Sequence, residues 1–167
     1  MIFTGLIIKH LYRIILLYKT KITAHQKFGV LFIVIFAKIF SMLSILDSEF
    51  SALNTFIQEK SPSQIFILVD ENTHQHCLPT LLGNLDTDIH FEIIEIESGE
   101  DAKNISTVVQ LWEILSDFEA DRKSLLLNLG GGVITDLGGF VASTYKRGIS
   151  FINIPTTLLA MVDASVG

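Results

Sequence analysis

The stretch that decides the fold of this 167-residue chain is Leu125-Leu126-Leu127-Asn128-Leu129-Gly130-Gly131-Gly132. A mostly apolar run leads directly into three glycines, which is typical of a buried strand followed by a tight turn. The N–H groups of such a turn, and of a helix that follows it, can hold a phosphate. A tight turn without a ligand is the alternative that this loop alone leaves open. The loop matches neither the Gly-x-Gly-x-x-Gly fingerprint nor a Walker loop.

Apolar strands alternate with helical patterns on both sides of this loop. Further strands are predicted at residues 65–69, 91–96 and 149–154, and helices at residues 50–57, 78–82 and 104–118. Ser48 is the predicted N-cap of the first helix, and the helix after the glycines is predicted to begin near Thr135 or Asp136. The helix at residues 104–118 would turn inward Val108, Leu111, Trp112, Leu115 and Phe118.

This alternation predicts an α/β fold, with a Rossmann-like parallel sheet flanked by helices. Ligands of such sheets bind outside the carboxyl ends of the strands. The loops at those ends are therefore the candidate functional site.

Charge divides the chain into two parts. Residues 1–46 contain six bases and no acid, whereas residues 47–167 contain all 18 acids and the other six bases. Hydrophobic residues make up 49% of the chain, which excludes a disordered protein, and the net charge of −6 argues against nucleic-acid binding. Because Cys77 is the one cysteine, an intramolecular disulfide is excluded, and a reducing, cytoplasmic compartment is expected.

Residues 1–46 are a hydrophobic, basic leader, separate from the domain at residues 47–167. The apolar run at residues 28–46 is about as long as a membrane span, and the bases before it would hold that end in the cytoplasm. Three interpretations remain open: a membrane anchor, a non-native extension from a start codon assigned too far upstream, and a structural element of the domain. The non-native extension is the favoured one.

Two of the strand-end loops carry acidic or basic residues. Asp70 and Asn72 follow the strand at residues 65–69, where a carboxylate can bind ribose hydroxyls or simply cap a helix. Glu100 and Lys103 lie about one helical turn apart, which fits a ligand site or an exposed ion pair.

Further candidates lie around the last predicted strand. Thr156 and Thr157 place two hydroxyls directly after it, as ligand contacts or as a helix cap. Arg147, before the strand, could hold a phosphate or carboxylate with its planar fork or be a surface charge. Asp163 stands in an otherwise apolar stretch. A metal site at His74 and His76 is not predicted, because the two side chains would project about 200° apart on a helix.

The order of these motifs resembles one known family. Residues 70–72, 99–103, 121–124, 130–137, 139–148 and 155–167 follow one another as in the nucleotide-binding domain of 3-dehydroquinate synthases, and the block 130–167 is the most specific. The resemblance implies an NAD- and metal-dependent enzyme of the shikimate pathway, with zinc or cobalt as the metal. The implied reaction converts 3-deoxy-D-arabino-heptulosonate 7-phosphate to 3-dehydroquinate and phosphate.

The resemblance also implies roles for individual residues. NAD would be bound by Asp70, Asn72, Gly99, Glu100, Lys103, Gly131, Gly132, Val133, Asp136, Thr156 and Thr157. Arg147 and Asp163 would match positions of the substrate site, with Arg147 as an anion contact. Thr135 stands where the family more often has glycine, and we expect only a local adjustment there.

The family continues beyond the position of Gly167 with a helical domain, whose glutamate and two histidines hold the metal. The sequence has no counterpart of these ligands, so an incomplete NAD-binding domain at residues 47–167, inactive by itself, is expected. The implied partners are a small-molecule sugar phosphate and, for the full-length family, a second copy in a homodimer. Nucleic acid is not expected, and a membrane only through residues 28–46. The alternatives are another sugar phosphate cyclase or polyol dehydrogenase of the same superfold, and a non-catalytic, membrane-tethered NAD-binding module.

Overall fold

The computed structural model describes residues 50–162 of the chain. They form a four-stranded parallel sheet with helices on both faces, which confirms the predicted α/β fold. The strands are β1 (Ile65–Asp70), β2 (Phe91–Ile96), β3 (Leu125–Gly130) and β4 (Ser150–Pro155). The helices are α1 (Ser51–Lys60), α2 (Glu71–His76), α3 (Leu78–Asn84), α4 (Ile105–Asp117), α5 (Gly132–Thr144) and α6 (Leu158–Val162).

The strands lie in the order β2-β1-β3-β4, and each neighbouring pair is parallel. β1 and β3 occupy the centre of the sheet, and their side chains from Ile65 to Val69 and from Leu125 to Leu129 are buried. A strand buried on both faces needs a continuous apolar sequence, which explains why both strands lack hydrophobic–polar alternation.

Two apolar clusters cover the two faces of the sheet. Phe66, Leu68 and Leu126 point to one face, where they pack against α4 and α5. Ile67 and Leu127 point to the other face, where α1 and α3 cover them. The alternation of side chains along each strand therefore sends successive residues into separate layers of core.

Several local expectations differ from the structure. Helix α5 begins at Gly132, and not near Thr135 or Asp136, because the glycine turn itself forms the first turn of the helix. Phe50 is the N-cap of α1, and Ser48 lies outside the described residues. Phe118 is the C-cap of α4 and is 43% exposed, yet its ring meets the ring of buried Phe66 edge-on, with centroids 6.4 Å apart, so the prediction that it faces inward is confirmed only in part.

The amino-terminal edge of the sheet is held by a small hydroxyl–carboxylate network. The Ser63 hydroxyl donates to Asp121 Oδ1 at 2.6 Å, and the Lys123 N–H donates to the same oxygen at 2.8 Å. These hydrogen bonds, first of all the one from Ser63, lower the pKa of Asp121 below its ordinary value of 3.8. The motif at residues 121–124 thus joins the amino-terminal ends of β1 and β3, at the edge of the sheet opposite the candidate site.

Among residues 50–162 no helix is long and apolar enough to cross a membrane. The leader, including the apolar run at residues 28–46, lies outside the described residues.

Candidate dinucleotide site at the carboxyl edge of the sheet

The carboxyl ends of β1 and β3 lie side by side at the point where the chain direction across the sheet reverses. From β1 the chain moves outward to β2, whereas from β3 it moves outward the other way to β4. The connecting helices α3 and α5 lie on opposite faces. Such a reversal leaves a crevice between the two loops, and open parallel sheets bind their ligands there.

The glycine turn brings the backbone of α5 directly onto the end of β3. A Cβ on Gly130 would lie 2.5 Å from both Cβ and Cγ1 of Ile134, so no larger residue fits at that position. Gly131 is the N-cap of α5 and supplies no side-chain cap. A Cβ on Gly132 would meet no atom within 4 Å, which shows open space beside the first turn. The first N–H groups of a helix lack intrahelical acceptors, so this turn offers donors to an anion.

Lys103 bridges the loop after β2 to helix α5, through Asp136. Its Nζ lies 2.7 Å from Asp136 Oδ2 and 3.7 Å from Glu100 Oε2. The hydrogen bond to Asp136 is the main cause that raises the pKa of Lys103, so the ammonium stays charged at neutral pH. The ion pair is partly exposed, with side-chain exposures of 37% for Lys103 and 48% for Asp136, and both groups remain accessible to a ligand.

At the end of β1, Asp70 caps helix α2. Its Oδ1 accepts from the Thr73 N–H at 2.8 Å, and the Thr73 hydroxyl accepts in return from the Asp70 N–H at 3.0 Å. This capping box is the alternative that the sequence left open for Asp70. Asn72 lies exposed in the same short helix. Hydrogen bonds from its own backbone N–H and from Ser98 lower the pKa of Glu71, and the second bond ties this loop to the one after β2.

The loop after β4 lies against the glycine turn. The Thr156 N–H donates to the Gly130 carbonyl at 3.0 Å. A Cβ on Gly131 would lie 3.3 Å from Thr157 Cγ2, which shows how closely the two loops approach. The Thr157 hydroxyl accepts from the Ala160 N–H at 3.2 Å and so caps α6, which leaves its proton available to a ligand.

Most of the predicted site residues therefore meet at one edge, but Arg147 does not. It follows α5, three residues before β4 begins, and lies at the amino-terminal edge. Because a six-residue strand spans about 20 Å, it is that far from the glycine turn along the sheet. Its anion contact stays a prediction that the arrangement within this domain does not support. Asp163 lies outside the described residues.

The residues present fit the pyrophosphate of a dinucleotide. The uncapped first turn of α5 has open space at Gly132, and the Lys103 ammonium lies at the same edge. For a metal the outcome differs: residues 50–162 contain no group of three or more His, Cys, Asp or Glu side chains that could hold one.

Sequence reasoning missed one polar pair beneath the site. Asn128 on β3 donates from Nδ2 to Asn153 Oδ1 on β4 at 2.8 Å. The signal was present in the sequence, because each asparagine interrupts a run of apolar residues at a matching position of its strand. The sequence indicated α2 only through the capping alternative for Asp70, without its bounds, and it named Lys103 and Asp136 without pairing them.

Residues 93–167 match the family model described as 3-dehydroquinate synthase N-terminal. Residues 93–167 therefore belong to the 3-dehydroquinate synthase N-terminal family. A 3-dehydroquinate synthase of Parabacteroides distasonis is 46% identical over 117 residues, which cover 70% of this chain and 33% of the relative. The relative from Pyrococcus abyssi is 44% identical over 126 residues, with 75% and 37% covered. The chain thus spans about a third of the length of the curated 3-dehydroquinate synthases that it matches.

Two solved structures of related synthases share the fold of this domain. A 2-deoxy-scyllo-inosose synthase in complex with carbaglucose-6-phosphate, NAD⁺ and Co²⁺ superposes with a TM-score of 0.59 at 27% identity, covering 70% of this chain and 32% of that one. The 2-epi-5-epi-valiolone synthase of Streptomyces hygroscopicus, with NAD⁺ and Zn²⁺ bound, gives 0.57 at 32% identity, covering 64% and 31%. Both relatives bind NAD⁺ and a divalent metal.

Proposed function

We propose that this domain binds NAD⁺ at the carboxyl edge of its sheet and serves the 3-dehydroquinate synthase reaction. In that reaction 3-deoxy-D-arabino-heptulosonate 7-phosphate gives 3-dehydroquinate and phosphate. The observation that carries the proposal is the uncapped glycine turn at the start of α5, with open space beside Gly132 and the Lys103 ammonium at the same edge. The family match over residues 93–167 and the NAD⁺ bound to two solved relatives support it.

The first turn of α5 would receive the pyrophosphate. The backbone N–H groups of Gly132 and Val133 point along the helix axis toward the site, where the helix dipole also favours negative charge. Gly131 and Gly132 place no side chain in the way, so the phosphate oxygens can approach the backbone directly.

Lys103 and Asp136 would make further polar contacts to the cofactor. The ammonium of Lys103 balances the negative charge of the pyrophosphate, and the carboxylate of Asp136 accepts hydrogen bonds from a ribose. Asp70, Asn72, Gly99 and Glu100 lie on the β1 and β2 side of the crevice, where we place the adenosine half. The family resemblance implies these roles, and the sheet brings the loops that carry these residues to one edge.

Thr156 and Thr157 would hold the nicotinamide half. They follow β4, on the other side of the glycine turn, and Thr157 approaches Gly131 closely. NAD⁺ supplies the hydride acceptor for oxidation of a substrate hydroxyl, while the protein orients the ring and excludes water. Residues 50–162 offer no group of three or more His, Cys, Asp or Glu side chains for a metal.

Titration of the 167-residue chain with NAD⁺ by calorimetry tests the cofactor proposal. Gly132→Phe fills the open space beside α5 and should abolish binding. Gly83→Phe is the matched control, because a Cβ at Gly83 on α3 also meets no atom within 4 Å, and Gly83 lies away from the site. Equal NAD⁺ affinity of both variants, or no binding by the unaltered chain, would refute the proposal.

The reaction itself is tested by release of inorganic phosphate from 3-deoxy-D-arabino-heptulosonate 7-phosphate, with NAD⁺ and Zn²⁺ or Co²⁺ present. Another sugar phosphate cyclase activity is the second candidate, because the two solved relatives are synthases named for other products, 2-deoxy-scyllo-inosose and 2-epi-5-epi-valiolone. Phosphate release from a different sugar phosphate, and none from the heptulosonate, would favour that candidate.

A further inference from the structure

Two asparagines lie side by side in the sheet, directly beneath the proposed dinucleotide site. Asn128 on β3 and Asn153 on β4 are register partners, joined by the hydrogen bond from Asn128 Nδ2. Asn128 is 0% exposed, and its Oδ1 has no hydrogen-bond partner. A buried amide with an unpaired oxygen lowers stability, so its presence in an apolar strand needs a specific reason.

The unpaired oxygen lies against helix α5. A Cβ on Gly138 would come within 1.9 Å of Asn128 Oδ1 and 2.3 Å of its Cγ. The amide therefore fills the volume that a side chain at position 138 would need, and Oδ1 abuts the Gly138 backbone, where a weak Cα–H···O contact is available. The size and position of this amide fix how closely α5 approaches the sheet.

The same pair precedes both loops of the site. Asn128 lies two residues before Gly130, and Asn153 lies three residues before Thr156. The Thr156 N–H donates to the Gly130 carbonyl at 3.0 Å, so the two loops are joined just beyond the asparagines. A bond between the strands at this point sets the distance between the loops that follow.

We propose that Asn128 and Asn153 are positioning residues for the cofactor. They hold the glycine turn, the first turn of α5 and the threonine loop at the spacing that a dinucleotide requires. This inference rests on the proposed NAD⁺ site, and it adds two residues that touch neither the cofactor nor the substrate. An amide pair kept only for packing would be replaceable by leucine, which has nearly the same shape, with no effect on ligand binding.

The test replaces each amide by leucine in the 167-residue chain. For both Asn128→Leu and Asn153→Leu we expect the Kd for NAD⁺ to rise about threefold to tenfold, the effect of one net hydrogen bond. The thermal midpoint of the double variant Asn128→Leu/Asn153→Leu should stay close to that of the unaltered chain, because both partners of the bond are removed and no amide is left unpaired. A loss of affinity without a loss of stability is the result that packing alone does not produce.

Asn54→Leu is the matched control. Asn54 on α1 also makes side-chain hydrogen bonds, to the Asn84 carbonyl at 2.9 Å and from the Asp86 N–H at 3.0 Å. It lies in the helix layer on the other face of the sheet, so its loss should leave the Kd for NAD⁺ unchanged. The double variant Asn128→Leu/Asn153→Leu should bind no more weakly than either single variant, because both remove the same bond.

Three outcomes separate the possibilities. An unchanged Kd in Asn128→Leu overturns the inference, and so do strictly additive effects in the double variant. If Asn128→Leu fails to fold, Asn153→Leu carries the test, since Asn153 is only partly buried. If the unaltered chain does not bind NAD⁺, the proposed function fails. Amide hydrogen exchange at residues 130–134 and 156–157 then tests the positioning role by itself. Faster exchange in both variants supports that role, and unchanged exchange overturns it.

Discussion

Replacing Gly138 by alanine is expected to destabilise the domain by about 1–3 kcal/mol net. The new Cβ would lie 1.9 Å from Asn128 Oδ1 and 2.7 Å from its Nδ2, so the amide cannot remain in place. Its displacement breaks the bond to Asn153, worth about 1 kcal/mol, and leaves a buried amide unpaired at about 1–3 kcal/mol. Alanine returns about 1 kcal/mol as the better helix former.

Urea denaturation at 25 °C, followed by circular dichroism, measures this difference. Gly139→Ala is the matched control in the same helix, because a Cβ there would meet the Phe151 ring at 3.6 Å, an ordinary contact. This control should gain up to about 1 kcal/mol. The double variant Asn128→Ala/Gly138→Ala should recover most of the stability lost in Gly138→Ala. Equal stabilities of the alanine variants at 138 and 139 would show that the steric reasoning is wrong.

Two further predictions concern charged groups at opposite edges of the sheet. Lys103→Met should raise the Kd for NAD⁺ severalfold, as measured by calorimetry. The free energy of unfolding should change by less than about 0.5 kcal/mol, because the ion pair with Asp136 is partly exposed. An unaltered Kd would argue against Lys103 as a cofactor residue. Ser63→Ala removes the main cause that lowers the pKa of Asp121. A lowered carboxyl pKa stabilises the fold above its ordinary value of 3.8 and ceases to do so as the pH falls through the folded-state pKa. The difference in free energy of unfolding between the unaltered chain and Ser63→Ala should therefore be largest above about pH 4 and become smaller below it. Urea titrations from pH 2 to 6 measure this difference, and a difference independent of pH would contradict the prediction.

Periodicity in the sequence was sufficient to locate the sheet. Continuous apolar runs such as those at β1 and β3 are typical of strands that are buried on both faces. All four strands were predicted to within about one residue at either end. Helix starts were less predictable. The first turn of α5 consists of residues that disfavour helices, and it forms because Gly130 lets Ile134 pack directly onto the strand end.

The sequence likewise predicted some residues of the candidate site and left the role of others open. The glycine turn and the threonines after β4 were predictable, because parallel strands bring their carboxyl ends to one edge. The capping role of Asp70 was open in the sequence, since a carboxylate before a helix serves a cap or a ligand equally well. The role of Arg147 as an anion contact stays a prediction, because α5, about 20 Å long, carries the chain from the glycine turn to the opposite edge, where Arg147 lies.

By itself, the sequence determined the alternation of strands and helices, the edge of the sheet that carries the candidate site, and the match of residues 93–167 to the family model. These features depend on local patterns, namely runs of apolar residues and glycines at strand ends. Only the tertiary structure decided the order of the strands, the pairing of Lys103 with Asp136 and the meeting of Asn128, Asn153 and Gly138. Those contacts join residues far apart in the chain, and their distances depend on how each helix crosses the sheet, which no local pattern specifies.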